Sequence, residues 1–117
     1  MTKINPYLNY PDTAEEAFNF YKSIFGGEFL FVQRFKDTQE SGKLSDSDKE
    51  KIMHISLPIG EGNVLMATDS LESMGHKTTL GTNFHISIET DSKQEADKIF
   101  KELSTGGKIT LPISDAF

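Results

Sequence analysis

The chain has 117 residues, enough for one domain with a real core but not for two. Its formal charge of −6 and its pI near 5.0 exclude a nucleic-acid binder that must neutralise phosphates, and the absence of cysteine excludes a disulfide framework, a thiolate nucleophile and a cysteine-based zinc site. No apolar run approaches the ~20 residues of a membrane span, and Met1-Thr2-Lys3-Ile4 has no apolar signal core, so the expected setting is the cytoplasm, away from membranes.

Residues 4–10 (Ile-Asn-Pro-Tyr-Leu-Asn-Tyr) alternate in the manner of a first strand, and Pro6, which lacks an amide proton, implies an edge or a bulge there. Asp12 or Thr13 has the character of a helix N-cap, Glu15 and Glu16 suit the first-turn dipole, and Thr13-Ala-Glu-Glu16 has capping-box spacing. Ala17, Phe20, Tyr21 and Ile24 form the expected apolar stripe, ended by Gly26-Gly27. Residues 28–36 predict a second strand, and 37–50 a polar loop. Strands over 51–59 and 63–68 follow, joined by Gly60-Glu61-Gly62 as a hairpin. Beyond a connector at 69–82, residues 83–89 predict a strand, 92–103 a helix ending near Gly106-Gly107, and 108–113 a last strand.

The order βαβββ followed by βαβ contains a weak internal repeat offset by 79 residues. Asp12-Thr13 recurs as Asp91-Ser92, Glu16-Ala17 as Glu95-Ala96, Lys22 as Lys101 and Gly27 as Gly106; Phe20, Tyr21 and Ile24 match Ile99, Phe100 and Leu103 in character. The expected fold class is α+β, with two pseudo-symmetric βαβββ modules in a single domain over 1–117, module one at about 1–70 and module two at about 82–117. Two strands of the second module would fall after Phe117, so the natural chain is expected to continue.

Strand parity places Ile4, Pro6, Leu8 and Tyr10 on one face and Asn5, Tyr7 and Asn9 on the other. The same alternation opposes Phe84, Ile86 and Ile88 to Asn83, His85, Ser87 and Glu89, and Met53, Ile55, Leu57 and Ile59 to Ile52, His54, Ser56 and Pro58. The apolar sets are expected beneath the two helices. The polar sets line either a ligand cup or a plain solvated face, since an antiparallel sheet with one wet side alternates likewise. Asn, Tyr, His and Ser stand there in place of the Lys, Glu and Arg of ordinary solvated faces, and Phe29, Phe31 and Phe35 could form apolar walls. His54 and His85 are the candidate metal ligands among the strands, and His76 is expected to face solvent in its connector.

The segments Ile4–Tyr10, Ala14–Tyr21, Phe25–Gly27, Lys51–Ile59 and Gly107–Pro112 resemble the PhnB-like branch of the vicinal oxygen chelate superfamily, the group of glyoxalase I, bleomycin-resistance proteins and extradiol dioxygenases. The resemblance implies an eight-stranded sheet curled into a cup and completed as a homodimer, with chains continuing past the segment matching Asp115-Ala-Phe117. Some members of the branch carry a demethylubiquinone-methyltransferase label, and the chain has no methyl-donor-binding motif. The metal positions of the superfamily's enzymes fall on about Asn5, Met66 and His85, of which His85 alone is a good ligand.

The expected function is therefore metal-independent binding of a small molecule, with no cofactor and no nucleic-acid partner. The candidate ligand-binding residues are Asn5, Tyr7, Asn9, His54, Ser56, Met66, His85 and Ser87. One alternative is a divalent-metal-dependent isomerase, lyase or dioxygenase in which His54 or His85 serves as base or ligand. The other is a structural dimer module without a ligand.

Overall fold

Alternating and β-branched runs in the first part of the chain form four strands, β1 (Tyr7–Tyr10), β2 (Phe31–Arg34), β3 (Ile52–Ile59) and β4 (Asn63–Asp69). They make one mixed sheet in the order β1-β4-β3-β2. β1 runs parallel to β4, and the other two pairs are antiparallel. Helix α1 (Ala14–Phe25) follows β1, and α2 (Asp46–Lys49) precedes β3. The computed structural model describes residues 2–38 and 41–114 and divides the chain into two compact units, Met1–Leu80 and Gly81–Phe117. The first unit is the βαβββ order expected of module one.

The core of this unit lies between α1 and the sheet. Ala14, Phe18, Ile52, Ile55, Leu57, Leu65 and Ala67 are buried together, with Leu8, Tyr10, Ala17, Tyr21, Phe29 and Ile59 packed around them. The helix stripe is therefore centred on Phe18, which the sequence reading left out, and runs 14, 17, 18, 21 at the spacing of one helical face. Phe18 meets Tyr10 and Tyr21 edge-on, with ring centroids 6.4 and 5.8 Å away. Burial, then the Tyr21 phenol beside it, pushes the Tyr10 phenol above its usual range, so it stays neutral.

Neither Asp12 nor Thr13 caps α1 through its side chain. The cap comes from β4: the buried Asp69 carboxylate accepts the Ala14 N–H at 2.9 Å and the Ile52 N–H at 2.8 Å. One side chain thus satisfies the start of a helix and the start of a strand. The expected capping box at Thr13–Glu16 is not formed.

A bulge re-phases β3. Gln33 pairs with His54 and Arg34 with Ile52, leaving Met53 as the extra residue. Ile52, expected on the polar face, therefore enters the core at 1% exposure, while Met53 turns outward. Strand β1 begins at Tyr7 rather than Ile4, which is exposed. Strand β2 covers only Phe31–Arg34, because Phe29 packs on the core and Phe35 opens a 3-10 turn, Phe35–Asp37.

The expected polar loop 37–50 is partly helical, with a 3-10 turn at Ser41–Lys43 and then α2; residues 39 and 40 lie outside the described residues. Ser45 Oγ caps α2 by accepting the Asp48 N–H at 3.1 Å. The Asp48 carboxylate accepts the Ser73 hydroxyl at 2.6 Å and lies 3.2 Å from Lys51 Nζ. The Ser73 hydroxyl first, then Lys51, holds this carboxyl below the usual carboxylate range. Because the folded value is the lower one, the unfolded chain binds more protons as pH falls. The stabilisation is complete above the ordinary aspartate value of about 3.9 and is lost as pH drops through the folded value. Asp48→Asn should therefore flatten the acid limb of the stability–pH curve below about pH 4, read by urea unfolding across that range. An unchanged acid limb would show that Asp48 does not contribute to it.

In the second unit, helix α3 spans Lys93–Ser104, which is α1 displaced by the repeat offset of 79. Gly27 and its counterpart Gly106 both adopt positive φ, 81° and 76°, beyond the helix ends. Here the cap is local, Ser92 Oγ accepting the Glu95 N–H at 3.1 Å. The segments 83–89 and 108–113 are not strands. A strand exists only through its ladder, and neither segment has one among the described residues. Phe84, Ile86 and Ile88, expected beneath a helix, are exposed, and so are Ile109, Leu111 and Ile113.

Candidate functional site

The sheet face opposite α1 carries the polar set in a defined order. Register aligns Tyr7 with Met66, Met66 with Ser56, and Ser56 with Phe31, a single row across all four strands. The next row holds Asn9 beside Thr68, and His54 beside Gln33. His54 is the centre of this face. Its ring lies 5.7 Å from Tyr7, edge-on at 87°, and 5.7 Å from Phe31, tilted at 58°. Its Nε2 is 2.8 Å from Ser56 Oγ, which fixes the orientation of the imidazole.

Ser56 is only 6% exposed, whereas Tyr7 and Phe31 are about half exposed, at 50% and 49%. The result is a polar floor between two open aromatic walls. Such a face can stack a planar or apolar group and hydrogen-bond a carbonyl or hydroxyl through the histidine. The structure thus brings together Tyr7, His54, Ser56 and Met66 and adds Phe31, while Asn9 lies one row further along β1.

The Asn5 side-chain oxygen accepts the Val64 N–H at 3.3 Å. His85 and Ser87 belong to the second unit, where both are exposed. Among the described residues no three His, Asp or Glu side chains converge. The donors at the superfamily's metal positions are an amide oxygen already holding a backbone N–H, a thioether and one imidazole. Such a set fits a hard divalent cation poorly.

A cleft of about 490 Å³ lies at the ends of β1 and β4, lined by Asn9, Ser70, His76, Lys77, Thr78 and Thr79. Apart from Asn9, these residues come from the connector 69–82. The available signal was the donor-rich run His76-Lys77-Thr78-Thr79, read as a mere link. His76 is exposed, as expected.

A βαβββ unit with its first strand parallel to its last, a helix on one face and an open polar face on the other defines a glyoxalase-like protein of the vicinal oxygen chelate superfamily. The chain belongs to the PhnB-like family described as 3-demethylubiquinone-9 3-methyltransferase, whose model matches residues 2–115. It is similar to protein PA1353 from Pseudomonas aeruginosa, with 32% identity and a TM-score of 0.86 over 99% of this chain and 82% of that one. The PhnB protein from Bacillus cereus shares the fold, at 24% identity and a TM-score of 0.59 over 95% of this chain and 80% of its own. No functionally curated protein matches the chain.

Proposed function

We propose that the protein binds a small organic ligand on the open sheet face, without a metal, in the manner of the binding proteins of its superfamily. The observation that carries this is the His54 imidazole held by Ser56 between the half-exposed rings of Tyr7 and Phe31. A merely solvated face would carry long charged side chains, whereas here two aromatic surfaces are left half open to solvent. Metal independence is supported by the donor chemistry: the Asn5 oxygen is engaged with Val64, and Met66 offers only a thioether. The same proposal includes a cytoplasmic homodimer. It is supported by the exposed apolar residues of 84–88 and 109–113, and a monomer in equilibrium sedimentation would overturn that part.

The test is a titration with a panel of neutral aromatic and carbonyl fragments, followed by amide chemical shifts in the presence and absence of EDTA. Saturable shifts are expected at Tyr7, Phe31, His54 and Met66, unchanged by the chelator. Tyr7→Ala and His54→Ala should each weaken binding about tenfold, the loss of one good aromatic or hydrogen-bonding contact. Binding elsewhere, or binding that EDTA abolishes, would overturn the reading.

A further inference from the structure

We infer that the cleft at the carboxyl ends of β1 and β4 binds the oxyanion group of a small organic acid. Its six lining residues are Asn9, Ser70, His76, Lys77, Thr78 and Thr79. The chain has 18 Asp and Glu among 117 residues and a formal charge of −6, yet this lining contains no carboxylate. It offers an ammonium, an imidazole, the Thr79 hydroxyl and an amide as donors, the Ser70 proton being engaged at the Tyr10 carbonyl and the Thr78 proton at Ser70 Oγ. In a protein of net negative charge, an anion is held best where the nearby groups are cations and neutral donors. Charge-assisted bonds from Lys77 and neutral donors around it are the chemistry that recognises a carboxylate, phosphate or phosphonate.

The connector is built rather than slack. Leu71, 2% exposed, anchors it, and the Leu71 carbonyl accepts the N–H groups of both Met74 and His76 at 3.0 Å. A 3-10 turn at Glu72–Met74 ends at Gly75, whose φ of 82° reverses the chain. Ser70 then clamps the returning strand of the loop, with its Oγ 2.6 Å from Thr78 Oγ1 and 3.2 Å from the Tyr10 carbonyl that it donates to. These contacts hold 76–79 against the end of β1. The cleft lies outside the carboxyl ends of the parallel pair β1 and β4, where the chain leaves the sheet.

Asn9 belongs both to this cleft and to the polar face, two residues along β1 from Tyr7, or about 7 Å at the rise of a strand. Resting on the binding reading above, this spacing suits a ligand whose apolar body lies at Tyr7, Phe31 and His54 and whose acidic end reaches Lys77.

The experiment titrates the protein with inorganic phosphate and, separately, with acetate, against sodium chloride at matched ionic strength, and follows amide shifts. Saturable shifts at Asn9 and 76–79 are expected from at least one anion and not from chloride. Which anion acts separates a phosphoryl-type from a carboxylate-type ligand. Lys77 is exposed, so Lys77→Gln should leave the fold intact and weaken the anion at least tenfold while sparing neutral fragments at His54. No saturable shift at 76–79, or equal affinity in Lys77→Gln, would overturn the inference. Fragments binding at His54 without anions at 76–79 would sink this site alone, and the converse would sink the face alone.

Discussion

Replacing Asp69 by alanine should lower the stability of the first unit by about 3–5 kcal/mol, among the largest effects of any single substitution in the chain. Two backbone N–H groups, of Ala14 and Ile52, depend on this 3%-exposed carboxylate. Truncation leaves both donors buried without a partner, at about 1–3 kcal/mol each, and removes a negative charge from the first turn of α1. Asp69→Asn keeps one acceptor oxygen but turns an NH2 group towards the second donor, so it should recover less than half of the loss. Urea unfolding followed by far-UV circular dichroism measures both variants. An alanine variant within about 1 kcal/mol of the parent would show that other groups satisfy these donors.

Phe18→Ala should cost about 3–5 kcal/mol, because a fully buried ring is lost from the centre of the layer between α1 and the sheet. The neighbours cannot all close the gap. Tyr10 is tied to β4 by its register with Asp69, and Ile55, Leu57 and Ala67 are fixed on paired strands. Phe18→Leu retains most of the volume and should cost under half as much. The ratio of the two losses, from the same unfolding curves, separates lost volume from the lost aromatic contacts with Tyr10 and Tyr21. Equal losses would place the effect in those edge-on ring contacts rather than in a cavity.

The parts that could be read in the sequence were those carried by local signals. Gly60-Glu61-Gly62 closes the β3–β4 hairpin, with Gly60 and Gly62 at positive φ. The helices stand one repeat apart, as Asp12-Thr13 and Asp91-Ser92 implied. What escaped the sequence was set at long range. The cap of α1 comes from Asp69, 55 residues away, so Thr13 and Glu16 matched a capping pattern that the fold does not use. The Met53 bulge depends on how β2 pairs with β3, and no alternation rule sees it from one strand alone. That error exchanged the roles of Ile52 and Met53. Of the candidate site, the placing of Tyr7, His54 and Ser56 on one face followed from parity and that of Met66 from the resemblance, with Phe31 one of three phenylalanines expected together as walls. The bond from the Val64 N–H to the Asn5 side-chain oxygen, set at long range, was also out of reach of parity.

The parallel pairing of β1 with β4 has a consequence for the birth of the protein. The Asn5 side chain and Val64 N–H are 59 residues apart, and Ser70 reaches the Tyr10 carbonyl across 60. The hairpin partners of β3 and β4 need only a tight turn, so they can zip while β1 still faces the entropy of a long loop. At about 5–20 residues per second of synthesis, β1 leaves the ribosome seconds before its partner strand exists. During that interval the segment has no ladder partner and is open to pairing with any other nascent chain. Pro6, which has no N–H to offer just ahead of Tyr7, shortens the run a stranger could join, while its carbonyl still takes the Met66 N–H at 3.1 Å once β4 arrives.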